Sequence, residues 1–188
     1  MAKKILVVVD VQNDFVYGSL GSDEAVAVVP NIVKKVNEYR NNEDLIIFTK
    51  DEHSNNYLDT QEGKKLPIKH CISNTAGCEI IGELKVGEHF GLEQIIRKDT
   101  FGYHWDHCPW IGIFKNDKPK FEVEIIGVCT DICVVTNALC LKTEFPEVEI
   151  TVDASCCAGS TPEKHKAALE VMKSCQINVI GELGELNK

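Results

Sequence analysis

Of the nine cysteines in this chain, one stands where sulfur chemistry could be arranged. The stretch EIIGVCTDICVVTNALCLK, residues 124–142, begins as an apolar strand and becomes helical in pattern, with Cys129 and Cys133 straddling the change. Thr130 is placed to cap that helix, which puts Cys133 in its first turn. A helix start favours a thiolate, and with a cation nearby a thiol pKa falls from about 8.5 into a range of about 3.5–7.5. Lys98 is the candidate cation. The plainer reading of a cysteine is a small apolar residue packing a helix onto a sheet. Cys71, Cys78, Cys108, Cys140, Cys156, Cys157 and Cys175 are left with it, and neighbours such as Cys156 and Cys157 rarely reach disulfide geometry.

A second group has the residue types of a metal site. Asp51 and His53 lie two apart after an apolar run, so in extended backbone they point the same way. His70 follows in LPIKHC, with Glu62 between. Carboxylate and imidazole donors suit Zn²⁺, Fe²⁺ or Mn²⁺. Taken alone, an Asp-x-His pair fits ordinary surface residues better. His89, His104, His107 and His165 carry no such pattern and read as surface or packing residues.

These side chains need elements to hold them. Six apolar runs read as buried strands: KILVVVD (4–10), LIIFTK (45–50), QIIRK (94–98), FEVEIIGV (121–128), VEITVD (148–153) and INVIG (177–181). They are rich in Val and Ile and apolar on both faces, as strands of a covered parallel sheet should be. Helical patterns alternate with them. PNIVKKVNEYRNN has Pro30 suited to a first helical position, and TPEKHKAALEVMKSC offers Thr161 as N-cap and Pro162 as N1. The alternation predicts one α/β domain over residues 1–188, three-layer α/β/α with a mainly parallel, doubly wound, Rossmann-like sheet. In such sheets ligands bind beyond the carboxyl ends of the strands. That rule gathers Asp10, Asp51, Lys98, the 129–133 segment and Asp153, the last suited to a turn or cap. Residues 52–92 are polar and weakly periodic, and so long a loop inside a compact domain is often functional.

Composition narrows the classes. The formal net charge of -9 argues against nucleic acid or an anionic membrane as partner. No apolar run approaches the roughly 20 residues of a membrane helix. No secretory leader opens the chain, and an odd cysteine count then implies free thiols in a reducing cytoplasm. A small-molecule substrate suits such a surface; a homo-oligomer remains open.

GVCTDIC (127–133), with DVQNDF (10–15) after the first strand and Lys98 after a middle strand, resembles the isochorismatase-like cysteine hydrolases, which include the nicotinamidases. The resemblance covers nearly the whole chain in order. It implies a catalytic triad of Asp10, Lys98 and Cys133, with Cys133 the nucleophile. It further implies a cis peptide bond between Val128 and Cys129, and an oxyanion hole from the backbone N–H groups of Cys129 and Cys133. It supports Asp51, His53 and His70, with Glu62, as ligands of one divalent metal, Zn²⁺ with Fe²⁺ and Mn²⁺ as alternatives. Phe15 matches a pocket aromatic of the family. Pro67 stands where nicotinamidases commonly have a Trp, and Trp105 could supply the missing stacking face.

The resemblance therefore implies a metal-assisted cysteine amidohydrolase, nicotinamidase-like. The alternatives are a hydrolase of another small amide, ureide or carbamoyl compound using the same triad, and a non-catalytic small-ligand or zinc-binding relative. Thiol redox chemistry is disfavoured because no C-x-x-C pair occurs.

Overall fold

The computed structural model describes residues 3–87, 92–108 and 121–182. Six strands form its sheet: β1 (Lys3–Val9), β2 (Leu45–Asp51), β3 (Glu93–Lys98), β4 (Phe121–Val128), β5 (Glu149–Ala158) and β6 (Asn178–Ile180). Their order is β3-β2-β1-β4-β5-β6, and every pairing is parallel. The helices are α1 (Asn13–Val16), α2 (Asp23–Asn41), α3 (Gln61–Lys65), α4 (Val135–Glu144) and α5 (Pro162–Ser174).

The strands carry apolar side chains on both faces because both are covered. Ile5, Val7, Val9, Val123 and Ile125 pack with Ala138, Leu141, Leu169 and Met172 of α4 and α5. Leu6, Val8, Phe48 and Ile126 pack with Val29, Ile32, Val36 and Tyr39 of α2. Three layers result, as the alternation predicts. The strand order reverses between β1 and β4, so the crevice expected of such a sheet opens where Asp10 and Cys129 leave those strands. Gly127 brings the two strands together there. Its φ is +123°, and a Cβ would lie 2.1 Å from Val9 O, so no side chain fits. Among the described residues no helix is long and apolar enough to cross a membrane.

Three local expectations are corrected. Pro30 does not start its helix. Ser22 caps it, its Oγ accepting from Ala25 N, with Asp23 and Glu24 in the first turn. An interior proline costs about 3 kcal/mol, but Pro30 and Val26 face solvent, where water can meet the carbonyl left without its donor. Thr130 is not a cap either. Residues Thr130–Val134 form a π turn with Cys129 at the N-cap position and no side-chain cap. Asp153 lies inside β5 rather than past its end. Ile125 pairs with Val152 but Gly127 pairs with Cys157, so β5 bulges between. Asp153 Oδ1 accepts from Ser155 N and Oγ within that bulge. Thr161 and Pro162 do start α5 as predicted.

The bulge is tied to α2 through Lys35, whose Nζ lies 3.0 Å from Asp153 Oδ2 and 2.6 Å from Glu124 Oε1. Burial pushes the Asp153 carboxyl up, but the Ser155 and Lys35 hydrogen bonds outweigh it and hold it below the usual range. A depressed folded pKa stabilises the fold above the unfolded value of about 3.9 and loses that contribution as pH falls through the folded value. Asp153→Asn is therefore expected to cost about 1.5–3 kcal/mol at pH 7 and to flatten the fall in stability below about pH 4. Denaturant unfolding at both pH values checks this; equal losses at both would exclude the linkage.

Candidate active site

The carboxyl ends of β1, β2, β3 and β4 converge on one buried polar cluster. Asp10 follows β1 with φ +49°, a left-handed conformation uncommon outside glycine. Its Oδ1 accepts from Thr49 Oγ1 at 2.6 Å, and Lys98 Nζ lies 2.6 Å from its Oδ2. Lys98 ends β3 in register with Asp51 and reaches across β2 to Asp10. Its Nζ is also 3.9 Å from Cys133 Sγ and 3.8 Å from Asp51 Oδ1. The described structure thus brings Asp10, Lys98 and Cys133 together. Cys129 follows the cis peptide bond Val128–Cys129 and begins the turn that carries Cys133.

Electrostatics correct one expectation. The Cys133 thiol is not depressed: burial, and then the Asp10 carboxylate, push it well above its ordinary value, and Lys98 only opposes them. Burial likewise raises the Asp10 carboxyl, against Lys98 and Thr49. For Lys98 burial acts downward, yet Asp10, Cys133 and Asp51 together raise it, so the ammonium stays charged. The thiol therefore rests neutral, beside the Asp10 carboxyl and the Lys98 ammonium that it pairs with. Cys133 is 6% exposed and lies deeper in its turn than a capped helix would put it, so desolvation outweighs the favourable backbone field.

Beside this triad Asp51, His53 and His70 offer ligand atoms that all lie within 4.8 Å of one another. Asp51 and His53 continue from β2, with Asp51 Oδ2 3.0 Å from His53 Nε2. His70 arrives through the long loop, which returns so that His53 N donates to Cys71 O and Ser73 N to His53 O. Glu62, on α3, has Oε1 3.8 Å from both His53 Nε2 and His70 Nε2, outside the tight triplet and on its more exposed side. The donors fit a divalent metal. His70 Nδ1 pairs with Ile68 O at 2.9 Å, which leaves Nε2 as a lone-pair donor. His53 Nε2 is buried without a well-formed hydrogen bond. Tyr57 packs against both imidazoles, its ring centroid 4.8 Å from that of His53 and 4.9 Å from that of His70.

Phe15 lies 5.5 Å from the His70 ring, between the metal-type cluster and Cys129. Trp105 is 1% exposed and stacks edge-on with Tyr103 in the core that includes Cys133, with its indole N–H unpaired. It is a core residue, not a surface one. His104 and His107 are exposed, His165 is half-buried, and His89 falls outside the described residues. All nine cysteines are free; Cys175 is exposed rather than packed.

Two residues that hold the site were not singled out from the sequence. Gln12 is fully buried and clamps the Asp51 backbone: its Oε1 accepts from Asp51 N at 2.7 Å and its Nε2 donates to Asp51 O at 2.8 Å and Cys78 O at 2.7 Å. Asn137 Nδ2 donates to Cys133 O at 2.9 Å while its Oδ1 accepts from Tyr103 N. For Asn137, in VVTNALCL, the available signal was an amide within a mostly apolar stretch, since a buried amide requires partners; Gln12, among the polar residues of DVQNDF, offered none. Gln12→Leu keeps much of the volume and deletes the clamp. Zinc affinity is expected to fall about 10–100-fold, read by competition with a chromophoric chelator; undiminished affinity would mean that β2 pairing alone aligns Asp51.

Comparison with known proteins fits this geometry. The isochorismatase domain model matches residues 4–182. A nicotinamidase of Schizosaccharomyces pombe is 30% identical, over 94% of this chain and 92% of that protein. A protein of Arabidopsis thaliana described as a probable inactive nicotinamidase is 27% identical over 90% of this chain and 87% of its own length. Among solved structures, pyrazinamidase of Pyrococcus horikoshii in complex with zinc superposes with a TM-score of 0.76 and 26% identity, covering 96% of this chain and 99% of that one. With nearly its whole length matched in sequence and in fold, this chain belongs to the isochorismatase family, on the branch that contains the nicotinamidases.

Proposed function

We propose that this protein is a cysteine amidohydrolase of nicotinamidase type, converting nicotinamide to nicotinate and ammonia. The observation that carries the proposal is Lys98 Nζ, 2.6 Å from Asp10 Oδ2 and 3.9 Å from Cys133 Sγ, with all three residues buried at the sheet's carboxyl edge. A binding protein gains nothing from burying such a set.

The raised thiol gives Asp10 its task. As Cys133 Sγ bonds to the amide carbon, its proton passes to the Asp10 carboxylate, itself raised toward a useful base. The carbonyl oxygen, now charged, is received by the backbone N–H groups of Cys129 and Cys133. Asp10 returns the proton to the nitrogen, the C–N bond breaks and ammonia leaves a thioester. Water then attacks, Asp10 takes its proton, and the released sulfur recovers that proton as the acid departs. Lys98 holds Asp10 in place and keeps a positive charge beside the sulfur throughout. Asp51, His53 and His70, with Glu62 on the open side, would hold a divalent metal. When bound it would supply Lewis-acid character for a pyridine nitrogen and for water. Phe15 and Trp105 would flank a flat aromatic ring. A small amide also suits the acidic surface, and free thiols suit a reducing cytoplasm.

The second reading is a non-catalytic relative, favoured by the likeness to the probable inactive protein of Arabidopsis. Ammonia release from nicotinamide, on zinc-loaded and chelated protein, separates the two. Cys133→Ala should lower turnover by about 10³-fold or more with unchanged melting; full activity in that variant removes the thioester route.

Lys98→Met removes the charge that pulls the thiol down, so the pH midpoint for Cys133 alkylation should move upward. Each unit of that shift is a factor of about ten in thiolate at fixed pH. If the variant titrates like the wild type, Lys98 plays no part at the sulfur.

A further inference from the structure

The turn carrying Cys133 presents a mechanical problem. Its leading N–H groups must stay free for a substrate oxygen, so a side chain that capped them would close the site. Accordingly Cys129, at the N-cap position, makes no side-chain cap bond. Within the turn, Cys129 O accepts from Ile132 N and Val134 N. From α4, Asn137 Nδ2 donates to Cys133 O and Thr136 Oγ1 to Ile132 O; the side-chain restraint on the first two residues of the turn comes from the loop and first turn leading into α5. Asp131 Oδ1 and Oδ2 accept from Ser160 N and Oγ, each at 2.7 Å. Thr130 Oγ1 lies 2.8 Å from His165 Nδ1.

The Thr130–His165 contact is the deeper of the two. Thr130 is fully buried, whereas Asp131 and Ser160 meet at the surface. Behind His165 a cavity of about 700 Å³ opens between α2 and α5, walled by Val28, Ala158 and Leu169, so packing on that side does not fix the ring. What fixes it is the bond to Thr130, together with the backbone at Gly159, where an added Cβ would come within 2.8 Å of His165 Cβ. The imidazole is therefore braced between the start of α5 and the first residue of the nucleophile's turn.

We propose that Thr130 and His165 are a positioning pair that keeps the Cys133 turn in register with Asp10 and Lys98, an inference that rests on the thioester reading above. His165 meets neither substrate nor metal. It acts through Thr130 on where Cys133 Sγ and the neighbouring N–H groups stand. Loss of the bond lets the turn shift, which acts on the chemical step rather than on substrate capture.

The test is a double-mutant cycle on the intact, zinc-loaded protein. Thr130→Val keeps the shape and removes the hydroxyl; His165→Leu removes the other partner at a half-buried position. Each single variant is expected to lose about 10- to 100-fold in kcat with KM within about twofold of wild type. The double variant should be no slower than the slower single, and Thr130→Ser should recover most of the rate. Alkylation of Cys133 by iodoacetamide, followed by mass spectrometry, gives a second readout that needs no turnover. It should slow in Thr130→Val and His165→Leu and recover in Thr130→Ser. If wild type fails to release ammonia while alkylation follows that pattern, the amidase reading falls and the positioning pair stands. Wild-type kcat and alkylation in Thr130→Val, losses that merely track lowered melting, or additive losses in the double variant would overturn the pair.

Discussion

The buried ion pair between Lys98 and Asp10 imposes its terms on everything around it. Both side chains are essentially sealed from water, at 2% and 0% exposure. Leaving either charge alone there would cost about 3–5 kcal/mol, so β1 and β3 are bound to each other through β2 although they never touch. Thr49 in β2 completes the Asp10 carboxylate, and Asp51 at the end of the same strand adds a second acceptor near the ammonium. Lys98 consequently joins two centres. One face meets the carboxylate and thiol of the triad, and the other meets a carboxylate of the metal-type cluster.

From that pair the protonation of the whole site follows. Two carboxyl groups and one ammonium occupy the same dry volume, so a further anion on sulfur is disfavoured and the thiol keeps its proton. A thiol that keeps its proton needs a base in contact with it before it can serve as a nucleophile. Asp10 is held against it by a left-handed backbone whose cost is about 1–3 kcal/mol. The strain, the buried pair and the raised thiol are one arrangement seen from three sides.

The metal-type cluster depends on the same strand ends but on different supports. Asp51 is located by its backbone, through Gln12, while His70 is brought in by a loop that pairs briefly with His53. The end of β2 places Asp51 and His53. His70 is set by the loop, with Tyr57 and Phe15 packed against the imidazole rings. Gly63 permits this packing, since a Cβ there would stand 2.0 Å from Tyr57 O.

The layers, the six strands and the start of α5 were legible in the sequence because they rest on local chemistry. Val and Ile runs report a strand covered on both sides, and Thr161-Pro162 reports a helix start, whatever lies elsewhere in the chain. Asp10, Asp51, Lys98 and Cys133 could be gathered for the same reason, since a parallel sheet places all its strand ends on one edge. Partners distant in sequence were another matter. Pro30 signals a helix start, yet Ser22 begins the helix because Pro30 can face water. Thr130 is a good capping residue by type, but His165, far along the chain, claims its hydroxyl. Asp153 looks like a strand end until the bulge and Lys35 engage it. Gln12 and Asn137 show no purpose until Asp51 and Cys133 are folded against them. Above all, a helix start points to a lowered thiol pKa while burial raises it, because desolvation depends on how completely the fold closes over a group. Local patterns determined which residues could meet; only the tertiary structure decided their partners and their charge, because burial and long-range contact exist only once the chain has closed.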